Sequence, residues 1–349
     1  MIILKGLIPI AVVCIFFHTL VVIDLIKKSK STPRKIKSIW VWLSNFPILG
    51  PIFYMSSRNY NNKDASSRDI FFLIVLYALL IELITAPFRM LSFMSCSVIT
   101  FVLYFIFVYI ISKKFSSRLK ESYILSASLL GCSIIILPLH IMDFSNTLIS
   151  FPDFLFHLLG IVMGYLFCKF SKLFRTIIVL FSLSCCIFLY FNGYMMWIHK
   201  LNYGTFFGKI ERTDVPDFQF ADEKGKLISI HDFSGKYTIV DCWYTGCGVC
   251  FREFPKVQAL YDKYKGHPSV SLISMNSRLK NESDSVAFET IREIGYSFPV
   301  YRIDMGTPVL LQMGVDGYPT VLIFDKEGKL AFRGSIENAK NYIEKMIKE

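Results

Sequence analysis

A second Cys-x-x-Cys is missing from this chain. Cys247 and Cys250 form the only such pair among nine cysteines, and the nearest histidines, His231 and His267, have no partner at zinc-ligand spacing. A closed structural zinc site at this motif is thereby excluded, because such a site needs four thiolate or imidazole ligands in paired spacing. Acidic residues are scarce in one part only: residues 1–209 carry 20 Lys+Arg against 7 Asp+Glu, whereas residues 210–349 carry 18 against 20. The net charge of +11 therefore belongs to the first part. Basic loops beside membrane spans account for that charge, so nucleic-acid binding is not implied. Charged residues are few at 19%, hydrophobic residues reach 53% and mean hydropathy is +0.47. One water-soluble domain is excluded by this balance, and 349 residues leave room for a membrane part and a globular part. Internal repeats and low-complexity tracts are absent as well.

Six stretches are apolar enough to cross a bilayer: 6–26, 70–90, 96–112, 122–141, 153–169 and 175–197. A seventh, 38–55, is short and broken by Pro47, Gly50 and Pro51, and its Trp40 and Trp42 suit an interfacial segment. With six spans and the N-terminus outside, the inner loops hold 16 Lys+Arg and the outer parts up to residue 209 hold 4, namely Lys5, Arg89, Lys200 and Lys209. The positive-inside rule favours that arrangement. It places everything after residue 197 outside. The first segment is expected to remain as a span, since its positive cluster follows the apolar run and no small-x-small cleavage site is evident. The expected organisation is a polytopic helical domain over 1–200, a polar linker over 201–212, and a soluble α/β domain over 213–349.

In the soluble part, Tyr237 to Trp243 reads as a buried strand, and Phe251 to Lys265 as a helix with Phe254, Val257, Leu260, Tyr261 and Tyr264 at helical spacing. Cys247 then sits exposed at a helix N-terminus, where unpaired N–H groups and the helix dipole stabilise a thiolate. Cys250, one turn further in, is placed to resolve a mixed disulfide. Further strands are expected at 270–275, 299–303, 320–324 and 330–333, and helices at 284–295, 307–313 and 336–347. Asp325 to Gly328 supplies a hairpin turn. The alternation argues for a small mixed sheet covered by helices on both faces.

Residues 213–348 resemble the thioredoxin superfamily, in particular the TlpA/ResA-like thiol-disulfide oxidoreductases. The resemblance is carried by Val215-Pro216-Asp217-Phe218, Asp232 to Lys236, Trp243 to Cys250, Glu253-Phe254-Pro255 and Val315 to Thr320. It implies a cis peptide bond before Pro319 and a loop there that presents backbone groups to an extended substrate, flanked by Tyr318 and Thr320, with Trp243, Gly248 and Val249 contributing to the contact surface. It also implies that Asp241 or Glu253 accepts the proton of Cys250. Residues 250 and 253 share a helix face, and strand alternation separates Asp241 from Cys242. No organic cofactor or metal is implied. The sequence departs from the commonest pattern at Gly246, where an aromatic is usual and whose lack loosens the contact surface, and at Gly248-Val249 between the cysteines. Cys242 is expected to be a buried filler.

An anchor needs one span, so six imply a role of their own, such as exchange with a membrane electron donor or acceptor. Glu82 lies mid-span and is a functional candidate by its cost alone, and the adjacent Cys185 and Cys186 are thiol candidates. Arg89 and His140 fall near span ends and are ascribed to the interface. The expected function is a multi-pass, membrane-tethered reductase of protein disulfides on the periplasmic side of the bacterial cytoplasmic membrane. Two alternatives stand beside it. A thiol peroxidase shares the fold and the Pro-Asp-Phe opening, although position 244 is Tyr where peroxiredoxins have the Thr of Thr-x-x-Cys. A docking or assembly protein would use the thioredoxin-like domain without catalysis.

Overall fold

The computed structural model describes residues 66–348. Segments 6–26 and 38–55 and Cys14 lie outside the described residues. The chain divides into two compact units, Met1–Tyr194 and Met195–Glu349.

The first unit is helical. Helices α1 (Ser67–Leu91), α2 (Phe93–Phe115), α3 (Glu121–Met142) and α4 (Phe151–Lys169) cover four of the expected spans. Helix α5 (Lys172–Phe188) and a π-helical turn Leu189–Gly193 cover another, and α6 (Tyr194–Tyr203) follows, all but its first residue lying in the second unit. Among the described residues five stretches are thus long and apolar enough to cross a membrane, the last reaching from Lys172 to Tyr203. Ser66 and Ser92 cap α1 and α2 by accepting from the backbone N–H groups of Asp69 and Ser95. The interior is apolar, and the exterior, unlike that of a water-soluble bundle, is apolar too. On α5 only Ser182 and Cys186 are buried, while Leu173, Phe174, Ile177, Leu180 and Leu183 face outward. An apolar exterior of this extent is what a lipid-facing surface requires.

Helices α2 and α4 make the most extensive helix contact. Gly160 and Gly164, one turn apart on α4, permit it: a Cβ at either position would stand 2.6 or 2.7 Å from the carbonyl oxygen of Phe101 or Phe105. Small residues at this spacing let helix backbones approach where apolar burial alone does not drive association.

The second unit holds one eight-stranded mixed sheet in the order β1-β8-β7-β4-β5-β6-β2-β3. Its strands are β1 (Lys209–Thr213), β2 (Gln219–Ala221), β3 (Leu227–Ser229), β4 (Tyr237–Trp243), β5 (Val270–Arg278), β6 (Val300–Asp304), β7 (Thr320–Phe324) and β8 (Leu330–Gly334). β4, β5 and β6 are parallel, and β7 returns antiparallel beside β4. Helices α7 (Gly248–Tyr264), α8 (Val286–Glu293), α9 (Pro308–Gln312) and α10 (Ile336–Met346) fill the connections. This is the thioredoxin-like architecture, as expected. The expected hairpin turn is present, with Gly328 at φ 80° and Asp325 accepting from Glu327 and Lys329.

Strand β4 is the centre. From Thr238 to Trp243 every residue is buried, so its two faces serve two separate cores. Ile239 and Trp243 pack with Phe254, Val257 and Leu260 of α7, whereas Val240 and Cys242 pack with Met275, Leu322 and Met313. Lys209–Thr213, largely within the stretch expected to be a polar linker, pairs antiparallel with β8. Alternation over so short and exposed a strand is too weak to stand out in the sequence.

Candidate active site

Cys247 occupies the N-cap of α7 and is bonded to Cys250 in a disulfide. The backbone N–H of Cys250 donates to the Cys247 sulfur over 3.1 Å. β4 delivers the chain to this point and α7 carries it away, so the first sulfur receives the open end of the helix, where anionic sulfur is favoured. The sequence predicts an exposed first thiol. In the disulfide both residues are covered, Cys247 at 5% and Cys250 at 1% exposure. Tyr244, Phe251 and Tyr318 pack against the core that contains both sulfurs. The open surface beside them consists of Gly246, Gly248 and Val249.

Gly246 has a different consequence from the one expected. A Cβ there would lie 2.8 Å from the ring of Tyr244, so the space of the missing side chain is filled by an aromatic from two residues earlier. Tyr244 in turn stands edge-on to Tyr318, ring centroids 5.3 Å apart. Thr245 donates to the carboxylate of Glu282, whose other oxygen accepts from the N–H of Leu279, which fixes the loop before Cys247. Neither Tyr244 nor Glu282 is marked as a site residue by any sequence motif.

The Tyr318–Pro319 bond is cis. The hydroxyl of Tyr203 donates to the Pro319 carbonyl over 3.1 Å, and the Thr320 hydroxyl donates to the Gly317 carbonyl over 2.7 Å. A cavity of about 780 Å³ adjoins this loop, with Asp241, Val249, Glu253, Tyr318, Pro319, Thr320, Leu201 and Tyr203 among its walls. Trp243 must be corrected. Expected at the substrate surface, it is fully buried, edge-on to Phe251 and Phe254, because alternation along β4 turns it into the α7 core. Thr320 lines the cavity but is 2% exposed.

The two acids separate clearly. Asp241 lies on the same face of β4 as Trp243, and burial, with a further contribution from the charge of Glu253, pushes its carboxyl up to about 7. Glu253 is half-buried and paired with Lys256 at 2.9 Å. Cys242, on the opposite face, has its thiol pushed far up, first by burial and then by Asp241, as suits a packed filler.

In the helical unit Glu82 is buried, and Arg89 reaches it at 2.9 Å and Asp153 at 2.6 Å. Arg89 is therefore an internal counter-ion, not only an interfacial residue. His157, also buried, contacts both carboxylates. No sequence signal pairs Asp153 and His157 with a residue more than 70 positions away, beyond their i,i+4 spacing at the start of a span. Cys186 is buried and Cys185 half-exposed on α5; both are free thiols.

Comparison with known proteins fits this geometry. Residues 212–333 match the AhpC/TSA family. Over 177 residues the chain is 30% identical to the thiol-disulfide oxidoreductase ResA of Bacillus thuringiensis subsp. konkukian, covering 51% of this chain and 95% of the relative. The chain belongs to the ResA thiol-disulfide oxidoreductases. ResA of Bacillus cereus matches to the same extent, 30% over 177 residues, 51% of this chain and 95% of the relative. The solved thioredoxin domain of a thiol-disulfide oxidoreductase from Bacteroides vulgatus is 24% identical over 39% of this chain and 98% of its own, with a TM-score of 0.35. The ResA likeness makes the protein an enzyme of thiol-disulfide exchange with protein thiols or disulfides as substrates.

Proposed function

We propose that this protein is a multi-pass membrane enzyme that reduces protein disulfides on the periplasmic side of the bacterial cytoplasmic membrane. A membrane domain over 1–200, joined through 201–212 to the thioredoxin-like domain 213–349, holds the enzyme at the bilayer. The observation that carries the reading is a disulfide at the N-terminus of α7 beside a cavity walled by the cis-Pro319 loop and the buried Asp241.

In the reduced enzyme the Cys247 thiolate attacks one sulfur of a substrate disulfide, forming a mixed disulfide and releasing the other substrate sulfur as thiolate. Cys250 loses its proton to Asp241 and attacks the Cys247 sulfur, which forms the enzyme disulfide and releases the second substrate thiolate. Asp241 suits the acceptor role better than Glu253, because its carboxyl titrates at about 7 while Glu253 is occupied by Lys256. Tyr318, Pro319 and Thr320 position the substrate with Gly248 and Val249. A membrane electron donor then returns the enzyme to the dithiol.

A second reading, peroxide reduction, is favoured by the AhpC/TSA match. It sits poorly with Tyr244 in place of threonine. Assaying residues 195–349 for reduction of insulin disulfides and for peroxide consumption separates the two. Peroxide turnover without disulfide reduction would overturn the proposal.

A further inference from the structure

The interior of the helical unit contains a donor set that thiol-disulfide exchange at Cys247 and Cys250 does not use. Arg89, Glu82, His157 and Asp153 close into a ring. Arg89 donates to Oε2 of Glu82 and Oδ2 of Asp153. His157 meets the other oxygens, with Nδ1 2.8 Å from Glu82 Oε1 and Nε2 3.1 Å from Asp153 Oδ1. Tyr104 donates to Glu82 Oε1 and Ser97 to Asp153 Oδ1, each over 2.8 Å. With both nitrogens facing carboxylates the ring is charge-balanced as an imidazolium, two positive groups against two negative.

That ring is complete without sulfur, yet two thiols are turned onto it. Glu82, Cys132 and His157 bring one ligand atom each within 4.8 Å of one another, and so do Cys96, Asp153 and His157. The two sets differ. The Cys96 sulfur already lies 3.5 Å from the Thr85 carbonyl and 3.8 Å from the Thr100 hydroxyl. The Cys132 sulfur lies 3.4 Å from Glu82 Oε1, the oxygen that also takes His157 Nδ1.

We infer that Glu82, Cys132 and His157 bind a divalent transition ion of the zinc class inside the helical unit. Thiolate, imidazole and carboxylate are the ligands zinc accepts, and in a tetrahedral site with bonds of about 2.0–2.3 Å neighbouring ligand atoms stand roughly 3.4–3.6 Å apart. The Cys132 to Glu82 separation already has that value, and the imidazole needs to retreat by only about 0.6 Å. The remaining parts of the ring supply what a metal-bound histidine requires: Asp153 accepts the N–H of Nε2, and Arg89 with Ser97 fixes Asp153. Charge is conserved. The ion enters with two positive charges, and two protons leave to solvent, one from the imidazolium and one from the Cys132 thiol. The ligands come from α1, α3 and α4, so the ion would tie three helices together.

The test uses the full chain in detergent with Cys247 and Cys250 oxidised, so that this pair offers no thiolate. Dialysis against cobalt(II) or zinc(II) is expected to leave one equivalent bound, with a thiolate-to-cobalt charge-transfer band and release of two protons per ion. Cys132→Ser, nearly isosteric, should lose the band and at least about tenfold in affinity. Cys96→Ser should keep both, and size-exclusion chromatography checks that each variant is folded. A wild-type chain that retains no stoichiometric ion overturns the inference and leaves a closed ion-pair ring. A cobalt band that persists in folded Cys132→Ser overturns it as well.

Discussion

The amide of Cys250 points at the sulfur of Cys247 from 3.1 Å. The same N–H that meets a neutral disulfide sulfur here faces a thiolate after reduction, and a hydrogen bond to the charged form favours that form. Cys247 is therefore expected to make the first attack. Cys247→Ser should abolish disulfide exchange, while Cys250→Ser should accumulate covalent substrate complexes through Cys247. Mass spectrometry that finds adducts on Cys250 of the Cys247 variant, and none on Cys247 of the other, would reverse the roles.

Asp241 should impose a pH dependence. It accepts a proton only when ionised, so resolution by Cys250 should quicken as pH rises through about 7. Asp241→Asn should give a slower and flatter profile. Glu253→Gln removes a charge that raises the Asp241 carboxyl, and should shift the rise to lower pH without abolishing it. Single-turnover rates over about pH 5 to 9 decide this, since the range brackets thiol and raised carboxyl groups. Stability carries the same signature. The folded state holds a proton on Asp241 between the ordinary value of 3.8 and about 7, so stability falls as pH rises through that window. The fall is up to about 4 kcal/mol at 1.36 kcal/mol per unit. Denaturant unfolding of residues 195–349 carrying Asp241→Asn should lack it.

The charge asymmetry of the loops predicts an orientation. Alkaline phosphatase fused after Thr205 should be active in a bacterial host, and a fusion within residues 27–37 inactive. An inactive fusion at Thr205 that accumulates normally would place the thioredoxin-like domain in the cytoplasm.

Gly160 offers a test of helix packing with an unambiguous sign. On an open helix face Gly→Ala is stabilising by about 1 kcal/mol. Here the new Cβ would lie 2.6 Å from the Phe101 carbonyl, so α2 and α4 must part. Overpacking of this kind costs about 1–3 kcal/mol. A lower thermal midpoint of the detergent-solubilised chain is the expected result, and a higher one would show the contact to be yielding.

Period and composition made most of the architecture legible. β4 and β7 fall where apolar β-branched runs begin and end, and α7 buries Cys250, Phe254, Val257, Leu260 and Tyr264 at helical spacing. The short strands β2 and β3 at one end of the sheet escaped, because three-residue strands carry no measurable alternation. Trp243 was assigned to the wrong environment for a related reason: a strand buried on both faces gives no pattern that says which residue faces solvent. The ring around His157 was illegible. Its members come from separate helices, and only the packing of α1, α2 and α4 brings Glu82, Ser97, Tyr104 and Asp153 together.

Tyr203 ends α6 and donates to the Pro319 carbonyl, while Arg333 clamps the Tyr203 carbonyl with two nitrogens at 3.0 and 3.1 Å. Met195, Leu201, Asn202 and Tyr203 form a wall of the cavity beside the dithiol. Trimming the protein to the residues that resemble a thioredoxin would therefore remove part of that cavity wall. An enzyme cut near residue 210 would still report the chemistry of its sulfurs. Its discrimination among substrates would belong to a different protein.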